Sequence, residues 1–416
     1  MEYRRDGAVD RNNKGLSNKI TMIFTLIVII GVFISKQEPF YNLNNLMQSV
    51  MQYSLLALAL ILPIMAGMGL NFSIVVGAIA GQIGIIMAVN WGLTGFYSFI
   101  FAAFFGTCFA ILFGLFAGVL IDKARGHEMV TSLFIGYFVN GIYQLVLFAL
   151  IGTVIPIRAE QLLLSGGVGL RNSIDLSDTL FQSVDGLLEV PFFVLLIIIS
   201  VLYLIIKAYQ FYKGKVESDK LRTYLRMILP TLVVLVSAVV MYADGLPNEI
   251  AMLKNIGFPL ITGAMIGAAA ISILWFMRTK LGREFIAVAL KKQNSEGTDM
   301  NASKVRIMAI VMSTILASWG QIIFLQNTGV LSTYGSHMGV GLLSAAALIL
   351  GGATIKRATV GQAFIGVVLL RGLFILFVPV IGELYSGNLS EVFRIIVMNG
   401  VFLYAFIAKR NEDVLF

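Results

Sequence analysis

The stretch TKLGREFIAVALKKQNSEGTDMNASKV, residues 279–305, is the longest polar and basic segment that has membrane-length apolar runs on both sides. Its first half, residues 281–290, contains helix formers and apolar side chains at Phe285, Ile286, Val288 and Ala289, which predicts a short amphipathic helix. Gly297 and Asn301 favour a turn before apolar sequence resumes at residue 307. We expect the charged face of this helix to meet water or a partner protein.

The composition of the whole chain indicates a helical membrane protein. Of its 416 residues, 58% are apolar and only 12% are charged, and the mean hydropathy is +0.89. A soluble domain carries roughly a quarter charged residues. The apolar runs are long and continuous, which predicts an all-α, polytopic fold with about 10–12 transmembrane helices.

The apolar runs divide the chain into a 20–408 membrane domain between polar tails at 1–19 and 409–416. Within the domain we expect an interfacial piece at 41–52, a span at 53–68 and helices packed closely at two GxxxG pairs, Gly77/Gly81 and Gly263/Gly267. Polar loops are expected at 152–189 and 207–226, with a coupling segment at 279–305.

The distribution of basic residues sets the expected orientation. With the amino terminus inside, 24 of the 30 Lys and Arg residues fall in inner segments and four fall in outer loops. This asymmetry follows the positive-inside rule and predicts that both termini and residues 279–305 are cytoplasmic, with 152–189 outside. It also explains the net charge of +8 without a nucleic-acid partner.

Several kinds of chemistry have no signature in the chain. It lacks the GxxxxGK[ST] loop that cradles nucleotide phosphates, and it lacks HExxH and CxxC motifs. Its single cysteine, Cys108, and its two histidines, His127 and His337, do not suggest a metal site or a catalytic centre. No Asp or Glu is placed within a predicted span, so an ion-coupled carrier is the less favoured type of transporter.

Polar residues in or beside the spans are candidates for a translocation path, since each needs a polar partner in hydrocarbon. They are Asn71, Ser73, Gln82, Asn140, Gln144 and Arg371. For the amides and the serine, interhelical hydrogen bonds are the competing interpretation. For Arg371 it is a buried cation bonded to helix carbonyls.

Residues 278–320 resemble the T-x-LGR signature of the bacterial ABC-importer permeases for ribose-type sugars, nucleosides and branched-chain amino acids. Residues 69–81 (GLNFSIVVGAIAG), 339–352 (GVGLLSAAALILGG) and 358–370 (ATVGQAFIGVVLL) are similar to other segments of that family. The chain departs from the pattern at Asn71, at Asn294-Ser295 and at Ser313-Thr314. Residues 126–143 resemble the nucleoside-type branch.

The resemblance implies a permease subunit in a bacterial cytoplasmic membrane, without cofactor or enzymatic activity, for a nucleoside or sugar-like solute. Its implied partners are a separate ABC ATPase that binds ATP, a second permease of the same or a sister chain, an extracytoplasmic solute-binding protein and membrane lipid. The ATPase would contact Leu281, Gly282, Arg283, Glu284, Phe285, Ala287 and Gly297, with His127 and Glu128 as a possible second contact. An ion-coupled carrier, or an intramembrane enzyme using Asp122, His127 and Glu128, remains the alternative.

Overall fold

The computed structural model describes residues 21–159, 162–212, 220–243, 245–294, 300–384 and 388–413. The predicted tail 1–19, the middle of the 207–226 loop and Gly297 of the coupling segment lie outside these residues. The predicted polar tail 409–416 is different: the last helix continues to Asp413.

The described residues form a helical bundle. The helices are α1 (Thr21–Ile34), α2 (Pro39–Ala59), α3 (Ile61–Met65), α4 (Ile74–Asn90), α5 (Gly95–Lys123), α6 (Glu128–Leu145, continued by a π turn Val146–Leu150), α7 (Phe192–Tyr212), α8 (Lys220–Tyr242), α9 (Asn248–Ala251), α10 (Leu260–Phe276), α11 (Lys280–Asn294), α12 (Met300–Thr328), α13 (Val340–Leu350), α14 (Val360–Leu384) and α15 (Asn388–Asp413). Short 3₁₀ turns cover Asp185–Leu187 and Met252–Asn255.

Six helical segments in the described part of the chain are long and apolar enough to cross a membrane, and a seventh is formed if α10 and α11 count as one bent span. Four shorter apolar helices accompany them: α1, α4, Met227–Tyr242 within α8, and α13. The chain therefore folds as a mostly helical, multi-pass membrane protein.

The second helix differs from the expected interfacial piece followed by a separate span. α2 runs without interruption from Pro39 to Ala59 and α3 continues it, so that Pro39–Met65 forms one span. The break between them falls at Leu60, because Pro63 has no N–H to donate to the carbonyl of Ala59. The polar residues near the start of α2 belong to the spanning helix itself.

Helix α12 lies at the centre of the bundle and packs against α2, α4 and α5. A Cβ on Gly77 or Gly81 would lie 2.5 or 2.6 Å from the carbonyl oxygens of Thr314 and Ser318, so only glycine allows α4 to come this close to α12. The packing predicted for this GxxxG pair is confirmed. The described residues show no such helix contact for the pair on α10: a Cβ on Gly263 would lie 2.5 Å from the ring of Phe258 in the preceding strand, and one on Gly267 would meet no described atom within 4 Å.

The two ends of the bundle are closed differently. At one end, called the α11 end, α11 follows α10 at an angle of 73°, and an ion pair of 3.5 Å joins Asp122 of α5 to Arg306 of α12. At the opposite end, β1 (Ser173–Asp175) pairs antiparallel with β4 (Val330–Ser332), and β2 (Glu189–Pro191) pairs with β3 (Gly257–Pro259). These pairs tie the 152–189 loop to the ends of α10 and α12.

Candidate functional site

Helix α11 is held to the bundle by one narrow face. Phe285 is fully buried and its ring meets that of Phe276 edge-on at 5.0 Å between centroids. A Cβ on Gly282 would lie 2.1 Å from the carbonyl oxygen of Phe276, so a glycine is needed for the sharp turn between α10 and α11. Phe285 was expected to contact an ATPase, but its side chain points into the protein and anchors the helix.

The rest of the surface of α11 is largely open. Leu281 and Ile286 are 44% and 36% exposed, and Arg283, Glu284 and Ala287 are exposed as well. Ile286 was predicted on the buried face together with Phe285, and this prediction is wrong. Adjacent helical residues are separated by about 100°, so a narrow buried face cannot include both. The exposed face therefore combines apolar and charged side chains, which suits a protein partner.

The inner face of α11 lies against the loop that joins α3 to α4. A Cβ on Gly67 would come within 2.8 Å of Cα of Ala289. In the same loop, a Cβ on Gly69 would lie 2.9 Å from the side chain of Ile355, which belongs to the 351–359 loop. Both glycines have positive φ angles, of 77° and 73°. This loop thus connects α11 with the start of α4 and with the connection between α13 and α14.

The start of α4 is fixed by local hydrogen bonds of two candidate path residues. Oδ1 of Asn71 accepts from the Ser73 amide at 3.0 Å and from the Ser73 hydroxyl at 2.6 Å. Ser132 Oγ of α6 accepts from the Phe72 amide at 2.9 Å. Asn71 and Ser73 are buried, and their main visible role is to shape this loop.

Three other candidate path residues meet at a buried histidine. His337 precedes α13, and its Nδ1 lies 3.0 Å from Oε1 of Gln82, while its Nε2 lies 2.6 Å from Oδ1 of Asn140. Tyr143 donates to Gln82 Oε1 at 2.9 Å, and Gln144 donates to Asn140 Oδ1 at 3.3 Å. This set, called the His337 cluster, joins α4, α6 and the segment before α13.

The hydrogen bonding of the His337 cluster can rearrange. A neutral imidazole donates from one nitrogen only, yet both ring nitrogens face amide oxygens. If the Asn140 side-chain amide is turned round, its NH₂ group donates to Nε2 of His337. If the imidazole is protonated instead, both of its N–H groups donate, one to each amide oxygen. Nε2 of Gln82 is buried without a partner among the described residues. The cluster is therefore a polar junction that offers both donors and acceptors in the interior.

A small open cleft of about 40 Å³ is lined by residues that lie close in sequence to the His337 cluster. Its lining includes Phe72, Val75, Gly136, Tyr137, Met338 and Gly341. Gly136 is one turn of α6 from Asn140, and Met338 directly follows His337. The structure thus brings Gln82, Asn140 and Gln144 together, and it adds His337, which sequence analysis assigned to a loop without a role.

Arg371 occupies a separate place, near the middle of α14. Its guanidinium carbon lies 4.5 Å above the ring centre of Tyr53, which in turn meets Phe324 edge-on at 5.4 Å. The competing interpretation was that Arg371 bonds to helix carbonyls. Among the described residues it makes no such hydrogen bond, and its Nε is buried without an acceptor. A cation–π contact contributes about 0.5–2 kcal/mol, against a desolvation penalty of several kcal/mol for a buried ion. Tyr53 alone does not balance the charge.

The two residues of the candidate second ATPase contact, His127 and Glu128, differ in exposure. The His127 side chain is exposed at the α11 end, whereas Glu128 is buried at the start of α6. Neighbouring Asp122 is buried between Arg306 and Ser303, whose hydroxyl donates to it at 2.6 Å. The three residues proposed for an intramembrane enzyme, Asp122, His127 and Glu128, therefore do not face one common open site.

A buried carboxylate at the opposite end was missed by sequence analysis. Asp185, in the 152–189 loop, accepts hydrogen bonds from Thr262 of α10 and from Gln326 and Asn327 of α12, the last two at 2.9 and 2.7 Å. Burial raises its pKa above the ordinary value, although the three donors act in the opposite direction. Its position in an acidic loop sequence gave no signal that it would be buried.

Among the described residues no group of three His, Cys, Asp or Glu side chains could hold a metal ion. Comparisons of the chain with protein-family models, with curated proteins and with solved structures find no match. The fold and the site define a multi-pass helical membrane protein. Its described part has an amphipathic helix at one end and a buried polar junction in the interior.

Proposed function

We propose that the chain is the permease subunit of an ABC importer in a bacterial cytoplasmic membrane, and that it carries a nucleoside or sugar-like solute. A separate ATPase subunit docks on the exposed face of α11. A second permease completes the path, and an extracytoplasmic binding protein delivers the solute. The chain itself hydrolyses nothing.

The observation that carries this proposal is the placement of α11. It crosses the axis of α10 at 73°, buries Phe285 as an anchor, and exposes Leu281, Glu284 and Ile286. A helix with these properties transmits force from a docked protein, because a push on its outer face acts on a rigidly seated element. The sequence resemblance of residues 278–320 supports the same role.

A contact path leads from α11 towards the interior. Ala289 lies against Gly67, and the loop containing Gly67 leads into α4, which carries Gln82 of the His337 cluster. A shift of α11 therefore displaces the start of α4 relative to α6 and to the segment before α13. We propose that this displacement opens and closes the cleft lined by Phe72 and Met338.

The orientation of the chain in the membrane is part of the proposal. Among the described residues, the α11 end contains the basic residues of 122–128, 278–294, 300–306 and 351–359, whereas the strand-paired end has few basic residues. The positive-inside rule then makes the α11 end cytoplasmic, where an ATPase is available, and makes the 152–189 loop the surface that meets the binding protein. Ten to twelve spans, with both termini inside, fit this arrangement.

Site-specific photo-crosslinking tests the docking face. A photoreactive amino acid at Ile286 in native membranes should capture a protein whose sequence contains the GxxxxGK[ST] phosphate loop, identified by mass spectrometry. The same probe at Lys254, which is exposed near the opposite end, is the matched control and should not capture it. Capture of no such ATPase from Ile286, or equal capture from Lys254, would count against the proposal.

The ion-coupled carrier is the alternative for transport, and Asp185 is the observation in its favour. It is a buried carboxylate with hydrogen-bond donors but no cationic side chain within ion-pair distance among the described residues. It sits in a loop that strands fix to the helix ends, which suits a structural role better than alternating ion binding. Uptake that continues after ATP depletion with the ion gradient intact would favour the carrier.

A further inference from the structure

We propose that Arg371 and Tyr53 form a binding site for the carboxylate or phosphate group of a small organic anion inside the bundle. The assignment of this anion as the transported solute rests on the proposed function, whereas binding itself does not. If the site holds the solute, the solute is acidic rather than a neutral sugar or nucleoside.

Arg371 lies near the middle of α14. It is 11 residues from the start of α14 and 13 from its end. At 1.5 Å per residue it lies about 16 Å from one end of the helix and about 20 Å from the other. The hydrocarbon core of a bilayer is about 30 Å thick. A guanidinium at this depth stays charged, so it requires a compensating group.

The described part of the chain supplies no carboxylate to compensate the charge of Arg371. No Asp or Glu oxygen in it lies within ion-pair distance of Arg371. The neighbouring helix α15 brings Glu391, but this carboxylate is bonded to Arg394. Among the described residues the contact found for the guanidinium of Arg371 is the ring of Tyr53, and the nearby charged group Arg394 is a second cation that repels it. The side chain of Arg371 is partly exposed.

The chemistry of the guanidinium and its surroundings indicates which ligand would fit. The guanidinium presents a planar fork of N–H donors that matches two oxygens of a carboxylate or phosphate. Tyr53 and Phe324 form an aromatic wall beside it, which suits the carbon skeleton of an organic anion. A lipid headgroup carries the same phosphate chemistry, but its depth is wrong: it lies outside the hydrocarbon core, about 15 Å from the centre.

The test uses the full chain in nanodiscs of phosphatidylcholine, whose headgroup has no net charge. The midpoint of thermal unfolding is measured with inorganic phosphate or gluconate, with chloride at equal ionic strength and glucose as controls. We expect phosphate or gluconate at saturating concentration to raise the midpoint by about 2 °C or more in the unmodified chain. Chloride and glucose should not.

Substitutions assign the effect to the site. Arg371→Gln should abolish the anion-dependent shift, and Arg371→Lys, which keeps the charge but loses the fork, should reduce it. The control Arg158→Gln changes an exposed arginine of the 152–189 loop, outside α14 and its neighbours, and should leave the shift intact. If Arg371→Gln does not fold, the comparison of Arg371→Lys with Arg158→Gln still decides the question.

Two results would overturn the site. One is the absence of any Arg371-dependent shift with phosphate or gluconate. The other is an Arg371-dependent shift seen only when phosphatidylglycerol replaces phosphatidylcholine, which would identify a lipid headgroup as the ligand. Neither result depends on an ATPase, so failure of the anion site is distinguishable from failure of the proposed function.

Discussion

Gly67 and Ala289 meet where the loop after α3 crosses α11: a Cβ on Gly67 would lie 2.8 Å from Cα of Ala289. Gly67 also has a φ of 77°, which L side chains rarely adopt. Two independent constraints thus require glycine at this contact. In the proposed function, it is one of the contacts through which a movement of α11 would reach the transmembrane helices.

Gly67→Val should separate α11 from the loop. We expect a loss of about 1–3 kcal/mol from backbone strain and faster amide exchange in residues 280–289. Hydrogen exchange monitored by mass spectrometry measures this directly. The control Gly267→Val places its side chain where no described atom lies within 4 Å. Unchanged exchange in Gly67→Val would show that the contact does not hold the helix.

Phe285→Ala should destabilise the protein far more than Ile286→Ala. Removing a fully buried phenylalanine leaves a cavity and typically costs about 3–5 kcal/mol, whereas an exposed side chain usually changes stability by less than about 0.5 kcal/mol. Thermal unfolding midpoints in one detergent give the comparison. Similar midpoints for the two variants would contradict the anchoring role of Phe285.

His337→Ala should weaken the interior, and His127→Ala should not. Loss of the imidazole leaves the amide groups of Gln82 and Asn140 without one partner each, at about 1–3 kcal/mol for a buried polar group. His127 is exposed, which makes it a matched control from the only other histidine. Unfolding midpoints and solute uptake both test this. If His337→Ala kept full stability and full uptake, the His337 cluster would have no role in either folding or transport.

Asp185 should give stability a pH dependence of defined sign. Its pKa is raised in the folded protein, so folding favours the protonated form. The contribution is present below the ordinary value of 3.8 and is lost as pH rises through the folded-state pKa. The difference in unfolding free energy between the unmodified chain and Asp185→Asn separates the contribution of Asp185 from those of the other carboxylates. We expect the unmodified chain to lose stability relative to Asp185→Asn as pH rises from 4 towards neutrality.

An opposite pH trend would contradict the burial of an uncompensated carboxylate. Asp175 offers a control in the same loop, because hydrogen bonds from Ser177 lower its pKa. For Asp175→Asn the sign reverses: the unmodified chain should gain relative stability as pH rises through the lowered pKa, up to the ordinary value of 3.8.

The sequence predicted the helical class and several local features for physical reasons that act along the chain. Long apolar runs predicted spanning helices, and the GxxxG spacing of Gly77 and Gly81 predicted their close contact with another helix. The prediction that residues 41–52 form an interfacial piece separate from the span was wrong. It arose because the polar side chains near the start of α2 resemble those of an interfacial helix. Only the tertiary structure shows that they belong to a span.

The candidate site was predicted in part. Polar residues in spans pointed correctly to Gln82, Asn140 and Gln144 as a group that needs partners. The partner itself, His337, lies about 200 residues or more from each of them in sequence, and no local pattern marks it as buried. Asp185 was missed for the same reason, since its burial depends on α10 and α12, which follow it in the chain.

The most direct measurement of the central claim is solute uptake under ATP depletion. The solute is the ligand recovered from the cognate binding protein, and the cells express the complete transporter. With ATP depleted and the ion gradient intact, uptake should stop. In ATP-replete cells, it should also stop when Glu284→Lys and Ile286→Asp alter the α11 face. Accumulation that persists without ATP, or with purified chain alone in vesicles, would contradict the account.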